Sequence, residues 1–314
     1  MLQQTTMETI LNRYPLFIKQ FPTISSLAKA TEQEALKAWE GLGYYRRIKN
    51  LRNTALICCK KFNGKLPKKY SELILLPGIG EYTAAAISSI CHNEKKAAID
   101  GNVTRVISRF FSVEENVSKS IGVKKIKKLA NKILNSESPG DHNQAIMDLG
   151  SMVCTPKNPK CLSCPVSKSC SGFNSGDATK YPIKNKKNKS PEVDVAIASI
   201  KENGKILLVQ RPAGTMLEGL WELPGGKVEK NESIKEACVR EIKEETGMSI
   251  RVDRKMGMVK HAYTHLKVRL HIFEASIKDH KKNGSRRLIW TNVNEIETLP
   301  IPTGTKKALS IIRK

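Results

Sequence analysis

The chain has 314 residues, 39% of them hydrophobic, which is enough for two buried cores, and it carries a formal net charge of +24. Most of the positive excess falls before residue 190, and because Lys and Arg neutralise phosphates and release condensed counterions, a polyanionic partner is expected, nucleic acid first. No run of about 18 apolar residues occurs, and no basic-then-apolar leader follows Met1, so neither a membrane span nor secretion is indicated; a cytoplasmic chain is expected, its eight cysteines read for metal or catalysis before disulfides.

From Met7 to about Met152 apolar residues recur at helical spacing, as in Leu36, Trp39 and Leu42 or Ile126, Leu129 and Ile133, so the first half is predicted to be mostly α. Tyr44 follows Leu42 in a glycine-bounded GLGYY segment. Leu76-Pro77-Gly78-Ile79-Gly80 lies between SELILL and EYTAAAISSI, the pattern of a helix-hairpin-helix. Gly78 and Gly80 let backbone approach a phosphate closely, and amides opening the next helix are donors at its positive end, a contact that positions DNA without reading its sequence. Tyr82 stands in that helix's first turn. Asp100 precedes Gly101 in AAIDGNVTRV, which by itself reads as a turn former, and Asp148 in NQAIMDLG sits near a helix end.

Cys154, Cys161, Cys164 and Cys170 are spaced C-x6-C-x2-C-x5-C, so four thiolates can converge on one soft-metal centre, zinc or iron-sulfur by spacing alone. Lys157, Lys160 and Lys168 surround them, while Cys58, Cys59, Cys91 and Cys238 lack such spacing. Around Asn174 to Gly176, and on through Pro182, Lys184, Lys186, Lys187, Lys189 and Pro191, periodicity breaks; residues 174–191 are read as a linker between a domain at 1–173 and another at 192–314. The second domain is predicted α+β, with strands at VAIASI, KILLVQR, VRLHIFEA and RRLIWTNV and a helix from about Ile234 to Thr246. On that helix Glu241 and Glu245 share a face with Glu244 adjacent, so their carboxylates can gather Mg2+ around a diphosphate.

With the hairpin, Asp100 and the cysteine loop in this order, the chain resembles the MutY adenine DNA glycosylases of the endonuclease III superfamily, and Gly226, Glu232, Arg240, Glu241, Glu244, Glu245 and Gly247 complete a Nudix box resembling that of MutT. The resemblance implies a [4Fe-4S] cluster on the four cysteines and Asp100 as the catalytic carboxylate. It also implies Gln4 and Tyr44, with Leu42 beside them, as residues that fill the DNA stack when a base is extruded. Asp148 corresponds to a position that helps hold adenine, and Tyr263, Thr264 and His265 to a loop that touches 8-oxoguanine, Thr264 being the candidate contact. Bifunctional relatives carry a Schiff-base lysine where this chain has Tyr82, which cannot form an imine; a monofunctional glycosylase is expected.

The implied partner is double-stranded DNA with adenine opposite 8-oxoguanine or guanine, bound by a monomer. In the family a general-acid glutamate stands two residues upstream of the Met of MLQQT, whereas here Met1 opens that motif and Glu8 is out of register. A start codon assigned too late is favoured over a truncation, which would leave a DNA- or lesion-binding protein without catalysis. The intact box adds a third reading, an 8-oxo-dGTP diphosphatase, because MutY C-terminal domains usually keep the fold and lose the box.

Overall fold

The computed structural model describes residues 1–3, 5–185, 190–263, 266–280 and 284–313. In chain order the helices of the first half are α1 (Met7–Gln20), α2 (Ile24–Lys29), α3 (Glu32–Ala38), α4 (Arg46–Lys61), α5 (Tyr70–Leu73), α6 (Glu81–His92), α7 (Gly101–Phe110), α8 (Ser120–Ile133), α9 (Pro139–Asp148) and α10 (Ser171–Asn174). There follow β1 (Glu192–Glu202), β2 (Lys205–Gln210), β3 (Trp221–Glu222), β4 (Gly225–Lys227), α11 (Ile234–Thr246), β5 (Ser249–Tyr263), β6 (Leu266–Asp279), β7 (Leu288–Asn292) and α12 (Thr303–Ile312). The predicted order, a mostly α domain and then an α+β one, is what forms. Two compact units result: Ile57–Lys187, and Met1–Leu56 together with Asn188–Lys314.

The unit of residues 57–187 is helical because its helices carry one apolar face each. Val103 and Ile107, four apart on α7, join Ile126 and Ala130, four apart on α8, with Val113 between them. Helix α6 instead buries small residues, Ala84, Ala85, Ser88 and Ser89. That flat face admits α9 closely: a Cβ on Gly140 would stand 2.8 Å from the Ser89 carbonyl oxygen. Asn143 of α9 is buried there and fully used, its amide donating to Ser89 Oγ (2.9 Å) and the Lys96 carbonyl (2.8 Å) while its oxygen accepts from Ala98 N (3.0 Å). The irregular stretch leading to Asp100 is thereby fixed.

Part of the predicted linker is built into this unit. Ala178 is buried, the Tyr181 carbonyl accepts from Arg109, and Val117 N donates to the Ile183 carbonyl (2.9 Å). Irregular backbone can be packed in this way when its carbonyls find donors.

In the other unit, β1 runs parallel to β6 from Glu192↔Lys267 to Ile200↔Ala275, antiparallel to β2 and β4, and β5 pairs antiparallel with β6. Strands β3 and β7 extend the sheet through β2. Alternation divides β1 between two cores: Ala196, Ala198 and Ile200 face Cys238 and Ile242 of α11, and Ile197 faces Ala308 and Leu309 of α12. A Ser233/Glu236 capping box starts α11, and Gly247, at φ 75°, ends it.

Residues 1–56 close on this sheet unit through an apolar cluster in which Leu36, Trp39, Leu42 and Ile48 meet Leu220. Polar ties reinforce it: the Trp221 indole donates to Gln33 Oε1 (3.2 Å), and Lys49 is 2.7 Å from both Glu32 and Glu218.

Candidate functional site

Asp100 is the N-cap of α7. Its backbone is extended (φ −103°, ψ −169°), and Oδ1 accepts from Val103 N at 2.7 Å, while Oδ2 accepts from Asn102 Nδ2 at 3.1 Å. The predicted turn residue is therefore a cap whose two carboxylate oxygens are held by the helix it starts, leaving the half-buried group oriented. Tyr82 lies within electrostatic reach: burial first, and then the Asp100 charge, push its phenol above the ordinary value, and its hydroxyl contacts Met147 Sδ at 3.5 Å. Asp148 follows Met147, exposed, where α9 gives way to a π-helical turn (Leu149–Val153).

The opposite end of α7 grips the cysteine loop. Arg105 donates to the Cys154 carbonyl (2.7 Å), to Asn102 Oδ1 (2.8 Å) and to the Gly150 carbonyl. Arg109, only 2% exposed, donates to the carbonyls of Tyr181 (3.1 Å), Thr155 (2.7 Å) and Pro156 (2.8 Å), and to Cys154 Sγ at 3.3 Å. A Cβ on Gly172 would stand 2.5 Å from the Arg109 carbonyl oxygen, so the loop's last helix is drawn tight against α7. One helix thus carries the carboxylate at its start and the loop's anchors along its length. None of Asn102, Arg105, Arg109 or Met147 has a motif of its own; a periodic Arg in an amphipathic helix reads as surface.

Cys154, Cys161, Cys164 and Cys170 line one cavity of about 30 Å3 together with Val153, Phe173 and Ala178. Burial, and then the other three sulfurs, push the Cys161 thiol up. Among the described residues no three His, Cys, Asp or Glu side chains stand in metal-holding geometry. The donor set nevertheless suits a soft-metal cluster: four thiols, no carboxylate in the lining, and a guanidinium hydrogen-bonded to one sulfur. Lys157, Lys160 and Lys168 are exposed around it. Of the other cysteines, Cys58 and Cys238 are buried and Cys59 and Cys91 exposed.

Gly78 has φ 76° and Gly80 is the extended N-cap of α6 with no side chain of its own to cap it, so the hairpin needs glycine at Gly78 for its turn and leaves the helix start to backbone amides. Tyr44 is 39% exposed at φ 46°, with the Arg47 guanidinium 5.8 Å from its ring centroid. Leu42, expected at the DNA surface, is instead 4% exposed in the cluster with Trp39 and Ile48; it belongs to the core because the GLGYY turn folds it inward while turning Tyr44 out. Gln4 lies outside the described residues, as do Thr264 and His265. Tyr263 ends β5, its ring 4.6 Å from that of His261, with its hydroxyl pushed up to about 12 by burial.

On α11 the box carboxylates already have partners. Glu245 is 3% exposed; Oε2 accepts from Gly225 N (3.0 Å) and Oε1 lies 2.7 Å from Arg286 Nη2. Burial pushes its carboxyl up to about 7, against the pull of Arg286 and the Gly225 amide. Glu241 is pressed over Gly226, where any Cβ would collide with it, and stands 3.1 Å from Arg240; Glu244 stands 3.5 Å from the same guanidinium. Arg240 also holds Glu232 (2.7 Å), so the Arg and first Glu of the box lock its loop onto its helix. Glu245 Oε1 is buried without a hydrogen bond of its own but stands against the Arg286 guanidinium, and Glu241 stands against that of Arg240, so a divalent cation would share these oxygens with arginines.

Residues 1–136 match the HhH-GPD superfamily of base excision DNA repair proteins, and residues 195–310 match the NUDIX domain family. A solved thermostable thymine-DNA glycosylase superposes with a TM-score of 0.51 at 28% identity, covering 55% of this chain and 80% of that one. An adenine DNA glycosylase of Homo sapiens is 30% identical over 364 residues, covering 99% of this chain, which spans 66% of that protein's length. One from Buchnera aphidicola subsp. Baizongia pistaciae is 32% identical over 320 residues. Since that alignment takes in 100% of this chain and 88% of the relative, with hairpin, Asp100 and cysteine loop all inside it, the chain belongs to the adenine DNA glycosylase family.

Proposed function

We propose that this protein excises adenine from DNA mispairs, adenine opposite 8-oxoguanine or guanine, by monofunctional N-glycosidic hydrolysis. The observation that carries the reading is Asp100: a carboxylate held through both oxygens at the start of α7, in a family member with Tyr82 where an imine-forming lysine would stand. As the bond from sugar to adenine breaks, its electrons leave with the base, which takes a proton from an acid, and positive charge develops on the sugar. A preorganised anion stabilises that charge without having to reorient at the moment of reaction. Tyr82 beside it offers a hydroxyl and no amine, so water adds to the sugar cation and loses a proton, leaving an abasic site in a strand that is not cut through a Schiff base.

The four cysteines are the holders of a [4Fe-4S] cluster in this reading. When bound, the cluster supplies a fixed cross-link between loop segments. The chain's own part is done by Arg105 and Arg109, which hold the loop's carbonyls and one sulfur, while Lys157, Lys160 and Lys168 face DNA phosphate. Gly78 and Gly80 admit a second phosphate contact, Tyr44 fills the stack behind the extruded base, and Asp148 lies near that base. Thr264, flanked by Tyr263 and His265, is the proposed contact to 8-oxoguanine.

Adenine release from duplexes bearing adenine opposite 8-oxoguanine, guanine or thymine tests the proposal, using the chain as given and the chain with a Glu-bearing segment added ahead of Met1. Release from the first two duplexes by either form, slowed about 100-fold or more by Asp100→Asn, is expected. Mispair binding with no adenine from either form would transfer support to the lesion-binding reading. Hydrolysis of 8-oxo-dGTP is favoured by the complete box but opposed by the arginine partners of its carboxylates.

A further inference from the structure

The segment Gly284–Arg286 is laid along the last turn of α11. Ser285 N (3.2 Å) and Oγ (3.0 Å) donate to the Glu244 carbonyl, and Arg286 N donates to the Glu245 carbonyl (3.1 Å). Gly284 is pressed so closely to the Thr246 backbone that a Cβ there would collide with it. These backbone bonds use the helix's orphan carbonyls and set the Arg286 Cα beside the box. Its side chain then bridges two carboxylates, Glu245 at 2.7 Å and Glu222 of β3 at 3.0 Å, and Glu222 has Arg211 as its other partner at 2.7 Å. Side-chain exposure is 18% for Arg286, 14% for Glu222 and 3% for Glu245.

We infer that Arg286 is the built-in cation of the C-terminal box, seated where a divalent metal would need Glu245, so that metal enters only by displacing it. Two guanidinium groups, Arg211 and Arg286, stand against two carboxylates, Glu222 and Glu245. A divalent cation seated on Glu245 Oε1 would stand against the Arg286 guanidinium, and the low exposure of that pair makes the like-charge contact costly unless the guanidinium leaves. Coordination is equally demanding: a small hard cation asks for several oxygens at roughly 2.0–2.1 Å. Here one Glu245 oxygen faces Arg286 and the other holds the Gly225 amide. The box has become a structural clasp. Through Glu222 it fastens β3, whose Trp221 indole is the donor to Gln33 on α3, and so the clasp supports the strand on which residues 1–56 rest. This inference stands apart from the glycosylase reading, because its readout is metal binding.

Titration of the full chain with Mn2+, followed by the electron paramagnetic resonance of the free ion, tests it. Wild type is expected to bind weakly at the box, and Arg286→Gln to bind about tenfold or more tightly. Combining it with Glu245→Gln is expected to erase the gain, which assigns the metal to the box. Should Arg286→Gln fail to fold, Arg286→Lys keeps a cation but cannot bridge two carboxylates, and intermediate affinity is expected of it. Wild-type binding that is as tight as in the variants and is lost in Glu245→Gln would overturn the inference. So would variants that gain nothing.

Discussion

Asp100 does two jobs that can be separated by substitution, because an N-cap needs only an acceptor oxygen whereas charge stabilisation needs an anion. Asn retains the acceptor. Asp100→Asn is therefore expected to keep the melting temperature and mispair affinity near wild type while slowing adenine release by about 100-fold or more, read in single-turnover assays. Asp100→Ala loses the cap as well and is expected to cost about 1 kcal/mol in denaturant unfolding. Two neighbours in GLGYY make a similar pair. Leu42→Ala empties a core position and is expected to cost about 2–5 kcal/mol in stability. Tyr44→Ala, at an exposed ring, is expected to leave stability nearly unchanged and to weaken adenine excision. Both residues were marked by the same motif, and only burial tells them apart.

At the scale of elements, α7 is the connector between carboxylate and cysteine loop, and Arg109 is its fastening. Arg109→Leu fills similar space but strands three carbonyls and one sulfur contact. A loss of about 3–5 kcal/mol is expected, with lower iron content per chain by elemental analysis and visible absorption. In the sheet, β1 and β6 are tied where Asp194 accepts from Arg269 Nε (2.7 Å) and lies 2.7 Å from His271 Nε2. The hydrogen bonds from Arg269, and then from His271, hold the Asp194 carboxyl down at about 2, below its ordinary 3.8. A lowered carboxyl contributes stability above the unfolded value and loses it as pH falls through the folded one. Melting curves are therefore expected to show wild type losing its advantage over Asp194→Asn between about pH 4 and pH 2. The strands themselves were legible from alternation; this cross-strand tie was not, since register is set only when β1 meets β6.

For the whole molecule, the proposed binding of DNA phosphate by a chain of net charge +24 makes affinity a function of salt. Mispair binding by fluorescence anisotropy is expected to fall by at least about 10^3 between about 50 and 200 mM salt, and its log–log slope to shrink when Lys157, Lys160 and Lys168 are replaced together by Gln. By itself the sequence determined the hairpin, the four-cysteine loop, the carboxylate before Gly101 and the Nudix box. Each of these is written in contiguous residues whose spacing is the chemistry. Tertiary structure alone decided that Leu42 is core, that Arg105 and Arg109 clamp the loop, and that Arg286 meets Glu245. It also placed residues 1–56 on the sheet unit and part of the expected linker against α7. Those outcomes depend on which distant groups share a buried volume once the chain closes, because desolvation obliges a buried charge or carbonyl to take whatever partner the fold brings to it.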